Sequence, residues 1–143
     1  TGSLEVTHLF DDPLRLLAAP GHPVAGLKAP LRLSAIDTSQ VILLEPGHCL
    51  REHTLAACGV GAQASRRFEA TNIDTLVQLA EAGCGLALLP AMAVASGVLE
   101  GTSLREVPLQ APPQRGIALV TRPSHPLRSF LERDIAALLA GGR

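Results

Sequence analysis

The run Val41-Ile-Leu-Leu-Glu-Pro-Gly-His-Cys-Leu-Arg-Glu-His-Thr-Leu-Ala-Ala-Cys58 holds a strand, a turn and a helix in succession. Val41 to Leu44 is continuously apolar, the pattern of a strand buried on both faces. Glu45-Pro46-Gly47 must stop it, because proline lacks a ladder donor and glycine favours a turn. A helix is then expected from about His48 to Cys58, ended by Gly59 and Gly61.

Working outward, Arg66–Ala70 reads as another strand. Thr71-Asn72 can cap a helix whose apolar positions Ile73, Leu76, Val77 and Ala80 recur at helical spacing and which ends at Gly83. Leu86–Leu89 is a further buried strand, and Pro90 opens a short helical turn. Upstream, Leu4–Phe10 alternates as a half-buried strand, Leu14–Ala18 is a second, and Pro20–Pro30 is a Gly- and Pro-rich loop. Downstream, residues 97–115 suit a loop with an edge strand. Gly116–Thr121 is a last strand, and Leu127, Phe130, Leu131, Ile135, Leu138 and Leu139 form the stripe of a closing amphipathic helix. Strands alternating with helices predict an α/β fold with a mainly parallel sheet.

Composition narrows the function. With 143 residues the chain suits one domain or two small lobes, able to bury roughly 68% of its unfolded surface. Its aromatic residues are Phe10, Phe68 and Phe130 alone, so the core must be aliphatic. Twelve basic residues against thirteen acidic ones leave a formal charge of −1. That balance lacks the basic surplus of a nucleic-acid-contacting module and gives no attraction to an anionic membrane. No apolar run approaches the roughly 18–20 residues of a membrane span. Three cysteines are too few for a secreted disulfide scaffold, and a reducing cytoplasm is expected.

The chemistry centres on Cys49. At a helix start its sulfur meets unpaired backbone N–H groups and the positive end of the helix dipole, both favouring a thiolate, with His48 and Arg51 beside it. Nine residues of continuous helix to Cys58 give about 13.5 Å of rise and about 900° of rotation, so the two thiols face opposite sides. A disulfide needs Cα atoms within about 7 Å, so this pair can bond only if the segment unwinds. The closed loop contributes on the order of 2.5 kcal/mol of chain entropy. Losing two or three helical turns costs a comparable few kcal/mol. The competing reading is that the cysteines are small buried hydrophobes, which suits Cys58 among its alanines and Cys84 at a helix-to-strand turn.

Other chemistries fare worse. Cys49 and His53 share a helix face with His48 adjacent, but a zinc site needs more ligands, drawn from His8, His22 or His125, so no metal and no cofactor is expected. A catalytic thiol peroxidase would also use a reactive thiol and a disulfide, yet no Cys-x-x-Cys motif offers recycling. Ser124-His125 lacks a nucleophile elbow. No enzyme is expected.

The segment Leu43-Leu-Glu-Pro-Gly-His-Cys-Leu-Arg-Glu52, followed by Cys58, resembles the hydrogen-peroxide sensors of the LysR-type regulator family. Phe10-Asp-Asp-Pro13, Phe68-Glu-Ala-Thr-Asn72, Ala82-Gly-Cys-Gly-Leu-Ala-Leu-Leu-Pro90 and Arg122-Pro-Ser-His-Pro-Leu-Arg128 match in order, so the resemblance covers essentially the whole chain. It implies a periplasmic-binding-protein-like regulatory domain, with residues 13–115 as one nearly complete lobe carrying the redox cysteines. Residues 1–12 and 116–143 would be parts of the other lobe, and the DNA-binding winged helix-turn-helix is absent from this stretch.

The resemblance also assigns roles. Cys49 matches the peroxidatic cysteine that becomes a sulfenic acid, and Cys58 the resolving cysteine. His48 and Arg51 match residues flanking the thiol, and Arg122 an arginine that favours the thiolate. Glu52 stands where better-known members carry an aspartate, and Arg67 where a histidine is common, so Arg67 carries no role. The implied partners are hydrogen peroxide and a second copy of the chain (a tetramer at full length). Promoter DNA and RNA polymerase are implied only through the full-length protein, and a membrane is not. The alternative is a LysR-type domain that binds a small metabolite between its lobes, its cysteines structural.

Overall fold

The computed structural model describes residues 3–59 and 68–141, and the chain divides into two compact units, Pro13–Gln114 and Thr1–Asp12 with Arg115–Arg143.

The larger unit is built on an aliphatic sheet. Strand β1, Glu5–Ala18, brings its second half here. The two strands expected at Leu4–Phe10 and Leu14–Ala18 are therefore one. Asp11-Asp12-Pro13 reads locally as a turn, but Pro13 forfeits one backbone donor only, and the next residue, Leu14, donates to the carbonyl of Pro113 at 2.7 Å. Strand β2 is Leu43–Leu44, helix α1 Cys49–Cys58, strand β3 Glu69–Ala70, helix α2 Ile73–Glu81 and strand β4 Ala87–Pro90. Helix α3, Ala91–Ala95, follows Pro90 at its N-cap, and strand β5 is Arg105–Val107.

The strand expected at Arg66–Ala70 is observed at Glu69–Ala70, and Arg66, Arg67 and Gly61 lie outside the described residues. β2 and β3 pair in parallel, Leu43 opposite Glu69 and Leu44 opposite Ala70. A parallel bridge joins Val41 to Leu86, with Ile42 N–H donating to Leu86 O at 2.9 Å and Leu86 N–H to Gln40 O at 2.8 Å. The strand–helix–strand–helix–strand run is thus parallel, as its crossovers require.

The sheet as a whole is mixed, however. β1 pairs antiparallel with β4 (Leu14 opposite Pro90, Leu17 opposite Ala87) and with β5 (Leu16 opposite Val107). A run buried on both faces looks alike in either direction, so the expectation of a mainly parallel sheet fails at β1 and β5. Leu16, Leu17, Val41, Leu43, Leu86, Leu88 and Leu89 are all essentially inaccessible, each contributing roughly 1.5–3 kcal/mol by leaving water. α2 lays Leu76, Val77 and Ala80 on this core, and Asn72 caps it by accepting from Thr75 N–H at 2.8 Å.

In the smaller unit the first half of β1 pairs with strand β6, Gln114–Thr121. The closing helical segment runs through α4, Arg128–Phe130, a π-helical turn Leu131–Ile135, and α5, Ala136–Gly141. Arg128 ties it back to the strands by pairing with Glu5 as well as Glu132. The expected apolar stripe is only half covered, since Leu127, Phe130 and Leu138 are exposed while Leu131, Ile135 and Leu139 are partly buried. A two-stranded ribbon offers too little surface to hide a whole helix face.

Candidate redox site on the first helix

The site begins where the buried run ends. Gly47 takes φ +99°, a left-handed turn that an L side chain rarely adopts. His48 is the extended N-cap of α1 without a side-chain capping bond, which makes Cys49 the first helical residue. Cys49 is exposed. In this first turn the Arg51 N–H donates to His48 O at 3.0 Å and the His48 N–H to Glu45 O at 3.4 Å, and the positive end of the helix dipole lies beside the sulfur. His48, Glu52 and His53 are exposed around it.

Cys58 is the last residue of the same helix, half-buried and packed against the aliphatic core. Gly59 terminates the helix in the left-handed region at φ +63°, its N–H donating to Ala56 O at 3.2 Å. All three cysteines are thiols rather than disulfide partners. The expectation that α1 separates Cys49 from Cys58 by continuous helix is met. The buried positions of α1 are Leu50, Arg51, Thr54 and Leu55, with Ala57 and Cys58 partly buried against the core.

Arg51, expected to flank the thiol, makes hydrogen bonds to the sheet. Its side chain is 10% exposed, and Nη1 donates to the carbonyl of Leu44 at 2.6 Å and to Glu69 Oε1 at 2.7 Å. The guanidinium fastens the helix to the ends of β2 and β3. Glu69 and the Leu44 carbonyl were missed from the sequence, because no spacing rule links a helix cation to an acid on a later strand. Arg122 follows β6 in the smaller unit and is exposed. His48, Cys49, Arg51, Glu52 and Cys58 are thus gathered on one short segment, whereas Arg122 is not part of it.

Cys84 is half-buried and lines a cavity of about 320 Å³ with Asp37, Ser39, Gln40, Phe68 and Gly83. The cavity opens beside the start of the Val41–Leu44 run, whereas Cys49 follows its end. Among the described residues no group of three or more His, Cys, Asp or Glu side chains could hold a metal ion, and no helix is long and apolar enough to cross a membrane.

Comparison with known proteins agrees with this architecture. The model of the LysR substrate binding domain matches residues 1–143. A hydrogen peroxide-inducible genes activator of Dickeya chrysanthemi is 37% identical over 128 residues, covering 87% of this chain and 41% of that protein. The chain therefore spans about two fifths of the length of such relatives. The reduced regulatory domain of OxyR2 from Vibrio vulnificus superposes with a TM-score of 0.78 at 30% identity, over 98% of this chain and 66% of that one. A Cys-to-Ser variant of Corynebacterium glutamicum OxyR with hydrogen peroxide bound gives a TM-score of 0.81 at 26% identity, over 97% of this chain and 44% of that one.

Proposed function

Because the chain belongs to the LysR substrate-binding domain family, we propose that it is the redox-sensing part of a peroxide-responsive transcription regulator, with Cys49 as the sensor. The observation that supports this reading is the placement of two thiols at opposite ends of one helix, the exposed one at its positive end.

The Cys49 thiolate attacks one oxygen of hydrogen peroxide. The O–O bond breaks, hydroxide leaves to be protonated to water, and Cys49 becomes a sulfenic acid. The Cys58 thiolate then attacks the Cys49 sulfur, an S–S bond forms as the S–O bond breaks, and the sulfenic oxygen departs as hydroxide that is protonated to a second water. The second step cannot occur across intact α1, so oxidation and rearrangement of the helix are one event. That obligatory coupling is what makes the pair a switch.

In this reading His48 and Glu52 shape the approach to the sulfur. Residues 13–115 act as the lobe that carries the switch, with residues 1–12 and 116–143 belonging to the other. A longer protein, a dimer in its regulatory part and a tetramer when complete, passes the change to promoter DNA and RNA polymerase in the cytoplasm. Peroxide is a signal used once per switch, so no turnover is expected.

The test is peptide mapping after thiol trapping, with and without about one equivalent of hydrogen peroxide per chain. A Cys49–Cys58 linkage that appears with peroxide and is absent in Cys49→Ser supports the reading. Cys49 and Cys58 both remaining alkylatable overturns it and leaves a metabolite-responsive domain.

A further inference from the structure

We propose that Glu69 is a positioning residue for the Cys49 switch: with Arg51 it forms a latch that holds the first turns of α1 against the sheet and sets how readily the Cys49–Cys58 disulfide forms. This rests on the pairing of Cys49 with Cys58 proposed above.

Arg51 lies two residues beyond Cys49, within the segment that must lose its helical path. One guanidinium nitrogen holds two acceptors at once, Leu44 O at 2.6 Å and Glu69 Oε1 at 2.7 Å. Those acceptors sit on adjacent parallel strands, Leu44 opposite Ala70 and Leu43 opposite Glu69. The latch therefore ties the helix to both strands together.

The burial is uneven, with the Arg51 side chain 10% exposed and Glu69 42% exposed. An exposed ion pair contributes little because water screens it and loose side chains must be ordered. Here the cation is already held by packing and by a backbone carbonyl, so little ordering remains, and a guanidinium taken from water needs its carboxylate. Bringing the two cysteine Cα atoms from about 13.5 Å apart along the helix to within about 7 Å draws Arg51 away from both acceptors. The latch thus stabilises the reduced, helical form and not the disulfide form. Glu69 never touches the sulfur; it acts through Arg51.

The experiment is a glutathione redox titration of the Cys49–Cys58 pair in wild type, Glu69→Gln and Glu69→Ala, with thermal melting of the reduced and oxidised forms. The expected result is an equilibrium constant for disulfide formation raised about threefold to tenfold in Glu69→Ala. Glu69→Gln, which keeps an uncharged acceptor, should fall between. In 1 M salt the wild type should move toward Glu69→Gln, since the charge contribution is screened.

A purely structural role would lower the melting temperatures of both forms equally and leave the redox equilibrium where it is, and that outcome overturns the latch. Absence of the Cys49–Cys58 linkage in the wild type overturns the pairing itself. Linkage in the wild type with unchanged variants overturns the latch alone.

Discussion

Arg115 directs both Nε and Nη2 onto one carboxylate oxygen of Asp12, at 3.0 and 2.9 Å, and that acid is only 2% exposed. Asp12 ends the first segment of the smaller unit and Arg115 begins its second, so the pair fastens the two segments together. Arg115→Leu leaves a carboxylate buried without its cation and should lower unfolding free energy by about 3–5 kcal/mol. Asp12→Asn keeps the shape and should cost less. Urea denaturation of the two single variants and the double variant measures this, with strong non-additivity as the expected signature.

Gly85 stands where the chain leaves α2 for β4, and its backbone passes close to the neighbouring strand. A Cβ there would lie 2.4 Å from Gln40 O and 2.9 Å from Ile42 Cγ1. Gln40 O is the acceptor for Leu86 N–H, so Gly85→Ala pushes on the bridge that joins the two parts of the sheet. Overpacking against backbone predicts a loss of about 1–3 kcal/mol or more, read as a lower urea midpoint. Gly26, whose Cβ would meet nothing within 4 Å, is the control expected to tolerate alanine.

What the sequence disclosed and what it withheld divide along physical lines. The buried run 41–44, the start of α1 after Gly47, its end at Gly59 and the Asn72 cap are local signals, written in consecutive residues. The continuity of β1 through Pro13 was hidden, because Asp-Asp-Pro has turn chemistry and only the distant carbonyl of Pro113 decides otherwise. Strand direction was hidden for the same reason, since Leu14–Ala18 carries no mark of its antiparallel neighbours. At the site, Cys49 and Cys58 stood out from helix position and spacing, and resemblance to a family supplied their roles. Arg51 was noticed but its partner was not, because the acid that claims it is eighteen positions along the chain.

The cap of α2 offers a prediction of stability without redox consequence. Asn72 accepts from Thr75 N–H at 2.8 Å, satisfying one donor that the helix itself cannot. Asn72→Ala should cost about 1 kcal/mol, seen as an equal fall in stability of the reduced and the disulfide forms, because in the proposed switch it is α1, not α2, that rearranges. A redox equilibrium that moved with this variant would mean that the switch reaches beyond α1.

Leu55 should behave in the opposite way. It is 5% exposed on the inner face of α1, three residues before Cys58 and inside the stretch that the proposed disulfide would unwind. Leu55→Ala removes apolar burial and leaves a cavity, a loss of about 2–5 kcal/mol wherever that packing exists. If α1 undocks when the disulfide forms, the loss falls on the reduced form alone, so the variant unfolds more easily when reduced, about as well as wild type when oxidised, and forms the disulfide more readily with glutathione. Leu76→Ala, in the core beneath α2 at 2% exposure, carries the same chemical deletion in a region that stays packed, and should weaken both forms alike. Equal destabilisation of the two redox forms by Leu55→Ala would show that α1 remains docked through oxidation, and the coupling of chemistry to helix unwinding would have to be abandoned.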